Sequence, residues 1–264
     1  VFLGKLLDIP VVVKVTRTGE GSQLEGLKSR SVFENLRGLA LKRATAVVAI
    51  TDEVVRGVKE FGIDDSRVIC IPNGVGMPED MPVRPIGCKL VVTYVGRLIP
   101  RKRIDLLLKT WANLRSAVPL ELRIIGSGEE LSALCDLIEV LGIKSSVIMC
   151  GELDSASVSE ELRTSDVFVL PSNSEGMSNS LLEAMSEGLP VVVSRIDANL
   201  SLVSDSKNGL MFSCEDELMQ CLQRLIDDPS LRLKLGSSAR ETILRHHSLK
   251  NVCEKYLLAY SSLK

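Results

Sequence analysis

VFVLPSNSEGMSNSLLEAMSEGLPVVV, residues 167–193, reads as a buried strand, a polar loop, a helix and a second buried strand. VFVL and PVVV are short apolar runs rich in β-branched residues, the composition of strands covered on both faces of a parallel sheet. The spacing predicts strands over 167–170 and 190–193 with a helix over about 178–187 between them. Such a repeat belongs to an α/β sheet, whose loops and helix N-termini converge at the carboxyl edge of the strands. Glu175 lies in the loop and Glu183 within the helix, eight positions apart.

Upstream, the same alternation predicts strands over 90–95, 120–125 and 146–150 and helices over about 104–117, 129–141 and 156–163. Downstream, Asn208 and Gly209 turn into a strand over 210–212, and helices follow over about 215–226, 230–244 and 249–261, with Asp227, Asp228 and Pro229 opening the second of these. A shorter α/β layer precedes them. IPVVVKV at 9–15, ATAVVAI at 44–50 and Arg67–Ile71 read as strands, with a helix over about 28–42 and another running from a Thr51–Asp52 cap to Phe61 and Gly62. Between the two layers, Ile71–Gly87 is rich in proline and glycine and lacks periodicity, as a connector between domains does.

Composition narrows the function. The chain has 264 residues, 45% of them apolar, enough for one or two cores, and a formal charge of -2 that gives no bulk attraction to nucleic acid or anionic lipid. Aromatic residues are 3% of the chain, too few for a base-stacking surface. Seven cysteines at 70, 88, 135, 150, 214, 221 and 253 form no CxxC pair and read as reduced core thiols of an intracellular protein. His246 and His247 stand apart from any cysteine pair, so no metal site is expected, and they read as a cap or solvated tail. The start shows neither an initiating methionine nor a signal pattern, and no run of 18 apolar residues suggests a membrane span.

Three loops carry chemistry. GRLIPRKR, 96–103, follows a buried strand; there Arg97 and Lys102 suit the oxygens of a diphosphate, the alternative being a solvated basic loop. IIGSGEE, 124–130, holds Gly126 and Gly128, which permit a tight turn and close approach of a ligand, but it lacks the GxGxxG spacing of a dinucleotide fingerprint. In the opening segment Ser178 or Asn179 caps the helix, Glu183 suits vicinal ribose hydroxyls and Glu175 suits the hydroxyls of a sugar; the alternative has both acids merely solvated. Trp111 reads as packing and Met177 as a pocket-wall filler, while Arg17 and Glu20 belong to a surface loop or face an acceptor.

GRLIPRKR together with SEGMSNSLLEAMSEGLPVVVS resembles the retaining glycosyltransferases of family 4, over about residues 40–245. The resemblance implies an α/β fold of GT-B type: two Rossmann-like domains with parallel sheets, the first incomplete and lacking its start. Residues 1–86 would be the partial acceptor-side domain and connector, 87–245 the domain that binds the nucleotide-sugar donor, and 246–264 a C-terminal helix returning to the first domain. The family's two glutamates, with seven residues between, match Glu175 by the donor sugar and Glu183 at the ribose. Its basic pair matches Arg97 and Lys102 at the diphosphate. Donor contacts are then expected from Gly96, Gly126, Gly128, Gly176, Met177, Ser178, Asn179, Leu182 and Glu183, with Arg97, Lys102 and Glu175 catalytic.

The implied activity is transfer of a sugar from a UDP-sugar or GDP-sugar to a hydroxyl of a glycan, lipid-linked or small-molecule acceptor, with retention and without cofactor or metal. A cytoplasmic enzyme is implied, with peripheral contact at the cytoplasmic face of a membrane left open and nucleic acid excluded as a partner. After PVVVS the sequence departs from the family pattern: Arg195 and Asp197 replace small residues, and Leu200–Val203 stand where an acid is common. Two other readings remain: a noncatalytic or degenerate nucleotide-sugar-binding subunit, and a nucleotide-sugar epimerase or hydrolase.

Overall fold

The computed structural model describes residues 1, 4, 7–17, 32–80 and 89–263, side chains of 32–37 excepted. Expectations for Glu20, Cys88, the polar stretch 18–26, the first turn of the helix over 28–42 and the connector beyond Asp80 lie outside the described residues. Contacts divide the chain into two units. One comprises Val1–Gly74, Glu175–Met177 and His247–Lys264; the other comprises Val75–Ser174 and Ser178–His246.

Among the described residues the first unit contains three parallel strands in the order β1 (Val12–Val15), β2 (Ala46–Ala49) and β3 (Val68–Cys70). All four residues of β2 are buried, as expected of the centre of a sheet, which explains its unbroken apolar run. Helix α1 (Val32–Arg43) leads into β2. Helix α2 (Asp52–Glu60) begins where the Thr51 hydroxyl accepts from the Val54 amide at 3.2 Å, and it ends before Gly62 at φ +92°. At the other end of the chain, α10 (Leu249–Ser261) packs Val252 and Ala259 into a core cluster with Val48 and Ile71. Burying a side chain such as Val252 contributes about 1.5–3 kcal/mol, so this helix is an integral part of the unit.

Among the described residues the second unit is built on a six-stranded parallel sheet. Its strands are β4 (Leu90–Val95), β5 (Leu120–Ile125), β6 (Val147–Gly151), β7 (Val167–Leu170), β8 (Val191–Ser194) and β9 (Leu210–Phe212), ordered β6-β5-β4-β7-β8-β9. Helices α3 (Ile104–Trp111), α4 (Leu131–Val140) and α8 (Glu215–Asp227) adjoin one another in one layer, and α5 (Ser155–Arg163), α6 (Asn179–Ser186) and α9 (Pro229–His246) in another. The segment after Val75 belongs with this unit, where the Pro78 carbonyl accepts from Arg240 Nη2 at 2.5 Å.

The helix predicted over 104–117 stops at Trp111. Beyond it the chain tightens into turns, with Asn113 bonded to the Thr110 carbonyl at 3.1 Å. Gln223 of α8 takes both backbone groups of Arg115, which a longer helix would need for its own ladder. Helix α7 (Asp197–Leu200) was not expected at all; its single turn lies where the sequence departs from the family pattern.

Candidate functional site

The strand order sets the location. Within the six-stranded sheet the chain enters at β4, winds outward through β5 to β6, then crosses to β7 and winds the other way to β9. The reversal lies between β4 and β7, so the loops after these two strands diverge and leave room at the carboxyl edge of the sheet, where α/β sheets bind ligands. The two loops at that switch point are 96–103 and 171–178, those the sequence had singled out.

They are bonded to each other. Arg101 Nη1 donates to the Ser174 carbonyl at 2.9 Å, and the Asn173 amide donates to the Arg101 carbonyl at 2.9 Å. The first loop is further shaped by the Tyr94 hydroxyl, which donates to the Arg97 carbonyl at 3.1 Å, and by a 3₁₀ turn over Pro100–Lys102. Arg97 is exposed, whereas Lys102 is only 7% exposed. A cation held in so little water exerts a stronger field than a surface lysine does. Arg101, within the basic stretch 96–103, joins the two loops.

Gly126 and Gly128 lie where the loop after β5 meets backbone of the loop after β4. Neither faces open space: a methyl at Gly126, whose φ is +136°, would overlap the Gly96 carbonyl, and one at Gly128 would overlap the Leu98 carbonyl. These glycines let the loop after β5 lie against the loop after β4, and the Leu98 amide completes the contact by donating to the Ser127 carbonyl at 2.8 Å. Next to them, burial with Asp105 and Glu129 nearby raises the Glu130 carboxyl above its ordinary value.

Helix α6 starts as the sequence indicates. The Ser178 hydroxyl accepts from the Leu181 amide at 3.4 Å and meets the Ser180 hydroxyl at 3.0 Å, placing Asn179 at the first helical position. Leu182 is wholly buried, so its side chain is core and only its backbone is available to a ligand. Glu183, one residue on, is half-buried. Among the described residues no hydrogen bond or ion pair reaches its carboxylate, and burial raises its pKa. A desolvated carboxylate without donors is suited to accept from two neighbouring hydroxyls.

Glu175, Gly176 and Met177 belong to the first unit. Gly176 lies so close to the Thr16 carbonyl that any side chain there would collide with it. Met177 is buried, with its sulfur accepting from the Asn73 amide at 3.3 Å and its carbonyl accepting from Asn73 Nδ2 at 3.5 Å. Asn73, read from sequence only as part of a connector, thus anchors the segment that carries Glu175.

Other residues take plainer roles. Trp111 is buried and donates to the Ser146 hydroxyl at 3.0 Å. His247 is not a solvated tail: it is buried, with Nδ1 at 3.3 Å from the Asn73 carbonyl, while His246 is exposed. The expectation of core thiols fails for most of the described cysteines. Only Cys221 is buried, whereas Cys70, Cys135, Cys214 and Cys253 are exposed. In the divergent loop Arg195 pairs with Asp205 at 2.7 Å, and Asp205 also accepts from the Met211 amide at 2.9 Å. Among the described residues no group of three or more His, Cys, Asp or Glu side chains is arranged to hold a metal, and no helix is long and apolar enough to cross a membrane.

Against known proteins, the model of the family described as Glycosyl transferases group 1 matches residues 78–242, and that of the Glycosyl transferase 4-like domain matches residues 1–74. The chain is 28% identical over 272 residues to UDP-Gal:alpha-D-GlcNAc-diphosphoundecaprenol alpha-1,3-galactosyltransferase of Escherichia coli, a match over 95% of the chain and 69% of that relative. To an uncharacterized glycosyltransferase of Haemophilus influenzae it is 36% identical, over 76% of the chain and 57% of the relative. Among solved structures, HepE of Anabaena in complex with UDP-glucose superposes with a TM-score of 0.84 at 18% identity, over 99% of this chain and 74% of that one. Sucrose-phosphate synthase from Thermosynechococcus elongatus gives 0.82 at 19%, over 99% and 71%. These likenesses identify the α/β architecture with parallel sheets as the GT-B fold. The chain spans roughly half to three quarters of the length of such relatives.

Proposed function

Because the chain belongs to the Glycosyl transferases group 1 family, we propose that it moves a sugar from a nucleoside diphosphate sugar to a hydroxyl acceptor, with retention of configuration, as a family 4 enzyme. The observation that carries this reading is the Glu183 carboxylate. It is half-buried and reached by no hydrogen bond among the described residues, and its helix starts from a loop of the switch point whose other loop carries Arg97 and Lys102. In this reading Glu183 accepts from the ribose hydroxyls and Arg97 and Lys102 face the diphosphate. Glu175 orients the sugar together with the amides near Gly176–Ser178. The sugar–phosphate bond breaks as the acceptor oxygen bonds to the sugar, and the acceptor's proton leaves with the departing diphosphate. Negative charge grows on the phosphate oxygens through that step, so the Arg97 and Lys102 contacts strengthen toward the transition state, and strengthening there is what accelerates transfer.

The two cations and the α6 amides supply positive charge that a divalent metal supplies in other transferases, so the reaction is proposed to be metal-independent. The donor is a UDP-sugar or GDP-sugar and the acceptor a glycan, a lipid-linked sugar or a small molecule. The E. coli relative is named for a UDP-Gal donor and an alpha-D-GlcNAc-diphosphoundecaprenol acceptor, which supports a lipid-linked acceptor; work at the cytoplasmic face of a membrane is proposed with it. Calorimetric titration with UDP, GDP and their sugars, with transfer assayed in the full-length polypeptide, tests the proposal. Selective nucleotide binding is expected, weakened tenfold or more by Glu183→Ala, with transfer reduced at least a hundredfold by Lys102→Ala. Absence of nucleotide binding, or unchanged transfer in the Lys102 variant, would overturn it.

A further inference from the structure

Asn73 makes contacts that neither the connector reading nor the donor site accounts for. The chain leaves the first unit after Gly74, returns for Glu175–Met177 and comes back again at His247. Asn73, Met177 and His247 each stand at or beside one of these crossings, and Asn73 touches both of the others. Its amide and Nδ2 donate to Met177, at 3.3 Å to the sulfur and 3.5 Å to the carbonyl, and its own carbonyl lies 3.3 Å from His247 Nδ1. Lys14 of β1 closes the set, donating from Nζ to Asn73 Oδ1 at 2.9 Å.

The chemistry of these partners allows one orientation of the side-chain amide. An ammonium only donates, so Oδ1 must face Lys14; a carbonyl only accepts, so Nδ2 must face Met177. An independent contact acts on the same three residues: Gly176 is pressed against the Thr16 carbonyl, with no space for a side chain between them. The segment is thereby held at two successive residues, both by groups of the first unit, immediately after Glu175.

We propose that Asn73 is a positioning residue for the transfer reaction, holding Glu175–Met177 within the first unit and thereby setting the Glu175 carboxylate. The inference rests on the proposed function for its catalytic consequence, though the clamp itself is testable without it. Asn73→Asp keeps the size of the side chain and an acceptor for Lys14 but removes the donor to Met177 and sets a carboxylate against that carbonyl. Lys14→Met, at an exposed position, removes the group that orients the amide.

The experiment compares unsubstituted protein, Asn73→Asp, Lys14→Met and the double variant in the full-length polypeptide. It reads hydrogen exchange across residues 175–178, calorimetric UDP affinity and kcat for transfer. Expected are exchange at 175–178 at least tenfold faster in Asn73→Asp, UDP affinity within twofold and kcat down tenfold or more. Lys14→Met should give a smaller effect in the same direction, and the double variant should be no worse than Asn73→Asp alone. Unchanged exchange at 175–178, or a parallel fall of UDP affinity and kcat, would overturn the assignment. If the unsubstituted protein binds no nucleotide, the proposed function fails, and the exchange measurement still decides whether Asn73 holds the segment.

Discussion

The guanidinium of Arg101 donates to the Ser174 carbonyl at 2.9 Å while the amide of Asn173 donates to the Arg101 carbonyl at the same distance, so the loops after β4 and β7 are bonded reciprocally across the switch point. The pair sets how far those loops can part, and hence the room available to a ligand. Arg101→Ala is expected to lower stability by about 1.5–3 kcal/mol, the range for a hydrogen bond from a charged donor. Nucleotide affinity should weaken as well. Arg101→Lys should recover little of either, because an ammonium does not reproduce the geometry of the fork. Urea unfolding and UDP titration of the two variants measure both effects; full recovery by lysine would show that charge alone suffices.

Gly126 and Gly142 separate two consequences of positive φ. At Gly126, φ +136° combines with a carbonyl occupying the place of a side chain, whereas at Gly142, φ +66° looks onto open space. Gly126→Ala is expected to cost on the order of 3 kcal/mol through combined strain and collision. Gly142→Ala should cost about 1 kcal/mol, from backbone conformation alone. Thermal melting of the two variants gives the comparison, and equal losses would refute the packing role assigned to Gly126.

Burial raises the Glu183 pKa above its ordinary 4.5, which fixes the sign of its contribution to stability. The folded protein holds the proton more tightly than the unfolded chain, so the contribution is full below the ordinary value and is lost as pH rises through the raised one. Glu183→Gln should therefore melt higher than the unsubstituted protein at pH 7.5, and the gap should narrow toward pH 4. Nucleotide hydroxyls would favour the ionised form, so UDP binding at mildly acid pH should release protons. Titration in buffers of different ionisation enthalpy detects that release, and the glutamine variant should show none from this group.

Arg195 and Asp205 test the divergent loop. Their ion pair is largely exposed, and Arg195→Ala is expected to change stability by no more than about 1 kcal/mol. Asp205→Ala also strips the acceptor from the Met211 amide at the edge of β9, and it should cost about 1–2 kcal/mol more. Equal effects in chemical denaturation would mean that the backbone bond contributes nothing.

Local signals accounted for the elements. Apolar β-branched runs marked β2, β4, β7 and β8, since strands covered on both faces have no polar side to show, and Thr51 and Ser178 marked helix starts through their hydroxyls. Helix α3 escaped its predicted end because Gln223, more than a hundred residues away, takes the backbone groups of Arg115. The exposed cysteines were misread for a related reason: apolar neighbours in sequence do not say which face of a strand or helix a thiol occupies.

For the site, the residues 167–193 and 96–103 by themselves determined an α/β sheet, a capped helix and two loops carrying cations and carboxylates, because strand and helix periodicity and capping act over a few residues. Tertiary structure alone decided what those loops touch. Strand order placed the reversal between β4 and β7, the glycines of the loop after β5 turned out to face backbone, and Asn73 became the anchor of Glu175–Met177. Each of these depends on contacts between segments tens to about a hundred residues apart, and the spacing of residues along one segment carries no record of which other segment will fold against it.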